Sequence, residues 1–199
     1  MKKLIPLLLL VVLLFVTDQL YKPKEKSPAI TPSSAATETK VPAPSGDATE
    51  VLGTMTKSSD CKAAGGMPDH ACSPGEADPK VTQANIHSTI CVSGYSESVR
   101  PPISVTNKIK KEQMAAYGDT DSMANYELDH LISLELGGCP DCVANLWPEP
   151  YNDSLGAHEK DKVENYLHDQ VCSNAISLQE AQAEIANNWE TVYRQLPSK

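Results

Sequence analysis

Six cysteines constrain the fold of this chain most strongly, because each disulfide that they form restricts the chain before any core is built. All six follow an apolar N-terminal stretch, at positions Cys61, Cys72, Cys91, Cys139, Cys142 and Cys172. An even number of cysteines in an exported chain favours up to three disulfides, although six cysteines allow fifteen pairings. We therefore expect a domain that is stapled by disulfides.

The N-terminus is typical of an export segment. Lys2 and Lys3 precede the apolar run "LIPLLLLVVLLFV", which is shorter than the ~20 residues of a membrane-spanning helix and fits a signal peptide. No clear small-x-small cleavage site follows, so an uncleaved membrane anchor stays open as the alternative. Under either interpretation residues 1–20 direct export, the remainder is periplasmic or extracellular, and only this segment contacts a membrane.

A flexible tether is predicted between the export segment and the folded domain. Residues 21–58 are rich in Pro, Ser, Thr and Ala and have few large apolar side chains. Burial in such a segment cannot offset the chain entropy lost on ordering, so we expect it to be disordered. The folded domain is then residues 59–199, about 140 residues, which is enough to build a core.

The charge of the chain limits the kinds of partner that it can have. Its formal net charge is −9, whereas high-affinity, sequence-specific DNA-binding proteins carry a basic surface. The charge argues less against an enzyme that touches a phosphodiester only briefly. No sequence feature indicates a protein partner.

The domain contains three helical patterns. The first, "TNKIKKEQMAAYG", is capped by Thr106 or Asn107 and ends before Gly118; upstream, "STICVSGY" predicts a short strand and "VRPPISVTN" an extended segment. The second helix is "AHEKDKVENYLHDQV". The third starts with a capping box of Ser177 and Glu180. Its apolar stripe at helical spacing is predicted to pack in the core: Leu178, Ala181, Ile185, Trp189, Val192 and Leu196.

The stretch "YELDHLISLELGG" sets two ionisable residues, Asp129 and His130, side by side in an apolar run that ends on two glycines. Taken alone, the pair is better explained as a buried, hydrogen-bonded structural feature. Two downstream elements reverse that balance: the extended segment "ANLWPEP" carries Asn145, and the helix that opens with "GAHEKDK" carries His158. The order is strand, loop, strand, helix, with polar residues on each element, and it is the similarity of this spacing to a known family that favours a functional site.

This pattern, over residues 126–164, resembles the HNH endonuclease family in its exported bacterial form. The resemblance implies an α+β fold with a ββα-metal core and flanking helices, here stapled by disulfides and preceded by the export segment and the disordered tether. It implies a metal-dependent endonuclease that hydrolyses phosphodiester bonds of DNA, and less certainly of RNA, to leave 3′-hydroxyl and 5′-phosphate ends.

The resemblance also assigns roles to the four motif residues. His130 would be the general base, since a neutral imidazole is still basic at neutral pH, and Asp129 and His158 would ligate one divalent metal ion. Asn145 would brace the motif and orient the His130 ring through a hydrogen bond. Mg²⁺ is the expected metal, with Mn²⁺, Ni²⁺ or Zn²⁺ as alternatives. Neighbours on a regular strand point to opposite faces, so Asp129 and His130 can share a site only at a strand end or a bulge.

Five further residues are candidates for the same site. Asn152 and Asp161 are alternative metal ligands, and Arg100, Lys160 and Lys162 are candidates for contacts with the substrate phosphate. For both lysines a solvated helix face is the more common explanation.

The pair Cys139 and Cys142 in "CPDC" admits three interpretations: half of a zinc knuckle, a redox pair, or a disulfide that pins the loop between the two strands. We favour the disulfide, and hypothesise Cys91–Cys172 and Cys61–Cys72 as the other pairs. Two rival functions remain open from these features. One is a non-catalytic, exported, disulfide-stapled binding module, and the other is a thiol-disulfide protein that acts through Cys139 and Cys142.

Overall fold

The computed structural model describes residues 52–197, so the export segment and most of the predicted tether lie outside the described residues. Within this range the domain is α+β, as predicted, with one two-stranded sheet and helices on either side of it in sequence. The elements are α1 (Tyr95–Val99), α2 (Ile103–Tyr117), β1 (Tyr126–His130), β2 (Leu146–Pro150), α3 (Ala157–Cys172) and α4 (Leu178–Gln195).

The two strands pair antiparallel, and their register determines which face of the sheet each polar side chain occupies. Glu127 pairs with Glu149, and Asp129 pairs with Trp147. Directly opposite residues of an antiparallel pair share one face of the sheet, so these four side chains lie on the same face. His130 is the last residue of β1 and belongs to the other face by alternation.

The order of elements from β1 onward is strand, loop, strand, helix. Residues 131–145 form the loop between the strands, and α3 begins at Ala157, shortly after β2 ends. Helices α3 and α4 pack against each other and against this loop. Their buried residues make up much of the core: Val163, Leu167 and Val171 from α3, and Ala181, Ile185, Ala186 and Trp189 from α4.

The last helix starts and packs as the sequence predicts. The Ser177 hydroxyl accepts a hydrogen bond from the backbone N–H of Glu180, 3.1 Å away, which satisfies a donor that the first helical turn leaves free. Trp189 is fully buried, and its indole N–H donates to the carbonyl of Gly66 at 3.0 Å. The helix has a kink at Asn188, whose backbone is not helical.

Three disulfides link the six cysteines in the hypothesised pairs, Cys61–Cys72, Cys91–Cys172 and Cys139–Cys142. The second joins the segment before α1 to the end of α3, 81 residues later. Disulfides of this number are typical of proteins that fold in an oxidising compartment. Among residues 52–197, no helix has the length and apolar character needed to cross a membrane.

The segment before the sheet departs from the sequence-based prediction. "STICVSGY" was predicted to be a strand, but it forms turns between a 3₁₀ helix, Gln83–Ser88, and α1. Helix α2 starts at Ile103 rather than after Thr106, because Pro102 presets an extended backbone that leads into a helical first turn. Its C-terminus is as predicted, since Gly118 adopts the left-handed conformation at φ 76°.

The folded domain begins earlier than residue 59. The backbone N–H groups of Thr56 and Lys57 both donate to the carbonyl of Ala71, at 2.8 and 2.9 Å. The Lys57 ammonium also lies 2.9 Å from a carboxylate oxygen of Asp69. Residues 52–58 therefore contact the rest of the domain through these hydrogen bonds and through Leu52, whose side chain packs against the core.

Candidate active site

The loop between the strands is organised by one side chain, Asn145, which is fully buried. Its amide NH₂ donates to the carbonyls of Ile132 and Cys139, at 3.0 and 3.1 Å. Its amide oxygen accepts from the N–H groups of Ile132 and Glu76, at 2.9 and 3.2 Å. Both donors and both lone pairs of the amide are thus in use, so Asn145 fixes the loop through backbone contacts.

Two other features keep this loop closed. A side chain at Gly138 would place its Cβ only 1.7 Å from the carbonyl oxygen of Ile132, so this position tolerates no residue larger than glycine. The disulfide Cys139–Cys142 then spans the next turn. Pro140 lies inside that disulfide ring, so its carbonyl is held in place on both sides.

That carbonyl orients the His130 ring. The Nε2 atom of His130 lies 2.9 Å from the carbonyl oxygen of Pro140. Because a carbonyl only accepts, Nε2 must carry the proton in this contact, and the lone pair of the neutral ring is then on Nδ1. Asn145 was predicted to orient this ring directly. It acts instead on the loop that carries Pro140, one step removed from the imidazole.

The protein keeps His130 in its neutral form. Burial lowers the pKa of the imidazole, which is 5% exposed, and the nearby charges of Arg100 and Lys160 lower it further. The Pro140 contact and the Asp129 carboxylate act in the opposite direction but do not reverse the shift. At neutral pH the ring is therefore unprotonated at Nδ1.

The Asp129 carboxylate, 6% exposed, has a donor at each oxygen. Oδ1 lies 2.9 Å from the ammonium of Lys160, and Oδ2 accepts from the indole N–H of Trp147, also at 2.9 Å. The side chains of Asp129 and His130 thus have different partners. The link between them is Lys160, which also donates to the backbone carbonyl of His130 at 2.9 Å.

Lys160 is fully buried, which corrects its assignment as a phosphate contact or as part of a solvated face. Its ammonium donates to Asp129, to the His130 carbonyl and to a carboxylate oxygen of Glu164 at 2.6 Å, so all three N–H groups are used. Burial alone would lower the pKa of Lys160. The carboxylates of Asp129, Glu164 and Glu149 outweigh burial and raise that pKa, so the ammonium stays charged.

A second buried carboxyl lies beside this ion pair. Glu149 is fully buried, and neither of its carboxyl oxygens has a hydrogen-bond partner within the described part of the chain. Burial and the charge of Asp129 raise the pKa of Glu149 well above its ordinary value. Burial likewise raises the pKa of Glu164, to about 7, although the Lys160 ammonium opposes the shift.

Five residues form the rim of the site, defined here as Arg100, Glu127, Tyr151, His158 and Asp161. Burial and charges within this set shift the pKa values of Glu127, Asp161 and Tyr151. Burial raises the pKa of Asp161, although the charges of Lys160, His158 and Arg100 oppose the shift. Arg100 also opposes the upward shift that burial gives Glu127. The His158 ring is exposed and lies against Tyr151, with 5.5 Å between ring centroids.

The predicted metal pair, Asp129 and His158, does not fit a divalent ion in this arrangement. An ion on Asp129 would compete with two donors, because the Lys160 ammonium already lies 2.9 Å from Oδ1 and the indole N–H of Trp147 already donates to Oδ2 at 2.9 Å. Within residues 52–197, clusters of three potential ligands occur at Cys91–His168–Cys172 and at Glu76–Cys139–Cys142. Both contain a disulfide, which offers no thiolate to a metal.

Three predicted residues remain, Asn152, Lys162 and Arg100, and of these the structure relates only Arg100 to His130, through its charge. Asn152 is exposed in the turn between β2 and α3. The Lys162 ammonium lies 3.3 Å from Glu159 and 5.5 Å from the centre of the Tyr193 ring, which directs it toward α4. Arg100 is exposed and keeps its candidacy as a phosphate contact, because its charge reaches His130.

No protein-family profile matches this chain, and no curated protein or solved structure is significantly similar to it. The site is therefore interpreted from its own geometry.

The Asn145 network predicts a large loss of stability on truncation. Asn145→Ala should lower the free energy of unfolding by roughly 2–4 kcal/mol, because it leaves buried backbone groups without partners. Asn145→Asp should lose at least as much near neutral pH, because its buried carboxylate would face the carbonyl oxygens of Ile132 and Cys139. Urea denaturation measures both, with Asn165→Ala, at an exposed helix position, as the matched control. A loss below about 0.5 kcal/mol for Asn145→Ala would show that the network is not structural.

Glu149 predicts a specific pH dependence of stability. Its raised pKa means that the folded state holds a proton which the unfolded state releases above about pH 4.5. The stability that this bound proton contributes is fully present below about pH 4.5. It is lost as the pH rises toward the pKa of Glu149 in the folded state. Glu149→Gln should therefore gain roughly 1–3 kcal/mol relative to the unmodified protein between about pH 5 and about pH 8 in urea unfolding. The exposed Glu97→Gln is the control, and equal slopes for all three proteins would contradict the assignment.

Proposed function

We propose that this chain is a phosphodiester hydrolase of the HNH type, acting on DNA ahead of RNA, with His130 as its general base. One observation supports this function most: the His130 imidazole, at the end of β1, is neutral and oriented by the carbonyl of Pro140. The order of β1, loop, β2 and α3 also agrees with the ββα arrangement that the motif resembles.

The proposed reaction moves one proton to His130. The Nδ1 lone pair accepts a proton from water as the water oxygen bonds to phosphorus. The P–O3′ bond then breaks, its electron pair stays on O3′, and solvent protonates the resulting alkoxide. The products are a 3′-hydroxyl and a 5′-phosphate. The lowered pKa of His130 keeps the base unprotonated into mildly acidic solution.

The charged residues around His130 determine how a substrate phosphate would bind beside the base. Arg100 is exposed and its positive charge lowers the pKa of His130, so a phosphate bound by Arg100 would lie close to the base. Lys160 is buried beside the same strand end and offsets part of the negative charge of the carboxyl groups around it, through its contacts with Asp129 and Glu164. A divalent metal would polarise the phosphate when bound. The Asp129–His158 pair does not fit such an ion. The transfer of a proton from water to His130 does not require a bound metal.

One observation favours a second candidate, a non-catalytic binding module. Asp129, Lys160 and Asn145 are buried with hydrogen-bond partners throughout, an arrangement that also stabilises folds without chemistry. The thiol-disulfide alternative has less support. Cys142 precedes a 3₁₀ turn of three residues, Val143–Asn145, rather than the long helix whose N-terminus activates redox cysteines.

The first test removes the proposed base. His130→Gln should lower plasmid nicking by about 10²-fold or more, because it removes the group that accepts the proton from water in the proposed reaction. His87→Ala, at an exposed histidine, should leave nicking unchanged. Near-UV circular dichroism checks that both variants fold. Full nicking by a folded His130→Gln protein would refute the base, and no nicking by any of the three proteins would favour the binding module.

The second test uses the charge of Arg100. Because Arg100 lowers the pKa of His130, Arg100→Gln should move the acid limb of the kcat profile upward, by roughly half a pH unit or less for an exposed charge. Loss of a phosphate contact should also lower kcat/KM. Arg194→Gln, exposed near the end of α4, serves as the control. A downward shift of the acid limb would contradict the assignment of that limb to His130.

A further inference from the structure

The most unusual group next to His130 is the buried ammonium of Lys160. It is fully buried, and it bridges the Asp129 carboxylate, the His130 backbone carbonyl and the Glu164 carboxylate at 2.9, 2.9 and 2.6 Å. A charge buried this completely persists only when every N–H has a partner. Lys160 of helix α3 therefore holds one positive charge in a fixed position at the end of β1.

This charge lies beside the carboxylate at which the motif resemblance expects a divalent ion. A metal ligated by a carboxylate sits about 2.0–2.6 Å from an oxygen, and Oδ1 of Asp129 already has the Lys160 ammonium at 2.9 Å. The other oxygen accepts from Trp147. The second expected ligand, His158, is exposed, and its ring lies tilted against Tyr151 with 5.5 Å between the ring centroids. The carboxylate is thus neutralised from within the protein.

We propose that Lys160 is a positioning residue that supplies the fixed cation of this site, so that Asp129 does not ligate a divalent metal. The part that concerns catalysis rests on the proposed function: hydrolysis at His130 should then persist in the presence of a chelator. The part that concerns metal binding stands independently of any activity. Lys160 acts through two contacts, since it holds the His130 backbone and balances the charge of Asp129.

Metal titration of the full chain tests the binding part. Free Mn²⁺ is followed by electron paramagnetic resonance during titration of the unmodified protein, His158→Ala and Asp129→Asn. We expect the three curves to coincide. Lys160→Met should gain a Mn²⁺ site at least about 10-fold tighter than any in the unmodified protein, because it frees a buried carboxylate, and the double variant Lys160→Met/Asp129→Asn should lose that site.

The substitutions are chosen so that misfolding does not obscure the result. Lys160→Met leaves the Asp129 charge buried without its ammonium and is checked by near-UV circular dichroism. If it does not fold, the comparison of the unmodified protein with His158→Ala decides, because His158 is exposed and its replacement spares the core. Mn²⁺ binding by the unmodified protein that either His158→Ala or Asp129→Asn abolishes would overturn the proposal.

The activity arm separates failure of this proposal from failure of the proposed function. Plasmid nicking is measured with excess EDTA and with Mn²⁺. Rates that agree within about two-fold in the unmodified protein support the fixed cation, while nicking that EDTA abolishes overturns it. Absence of nicking under every condition refutes the proposed hydrolase. In that case the Mn²⁺ titration alone decides whether Lys160 excludes a metal from Asp129.

Discussion

The site depends on a single buried ammonium. Lys160 reaches from α3 to the end of β1 and contacts Asp129 and the His130 carbonyl, so the helix, the strand and the polar residues of the motif are held together by one charge. Removing Lys160 would leave the Asp129 carboxylate in the interior without its ammonium partner, which is far more costly than losing a surface pair. The position of His130 relative to its surroundings follows from this constraint.

Much of the fold could be predicted because its signals are local. The Ser177 cap and the apolar stripe identify α4, and the apolar run "YELDHLISLELGG" with its glycine turn identifies β1. The segment "STICVSGY" was missed because β-branched composition favours a strand only where a partner strand exists. Here Ile86 and Ile90 pack into the helical core, and Cys91 is tied to Cys172. Those contacts are long-range and leave no local pattern.

The candidate site was predicted in part. The order of Asp129, His130 and Asn145 identified the right strand ends and loop, but Pro140 could not be found because its contribution is a backbone carbonyl. Lys160 was misassigned because buried lysines are rare. One signal was available: Lys160 lies on the apolar stripe of α3, in step with Ala157, Val163 and Leu167. Glu149 could be placed only once the strand register set it opposite Glu127.

The central claim is that a lysine, rather than a metal ion, neutralises Asp129. A crystal structure of the full chain grown with MnCl₂, with anomalous data at the manganese edge, tests it most directly. The account predicts Lys160 Nζ in hydrogen-bond contact with Asp129 and no anomalous peak bonded to that carboxylate. An anomalous peak about 2.2 Å from an Asp129 oxygen, with the Lys160 ammonium turned away, would contradict it.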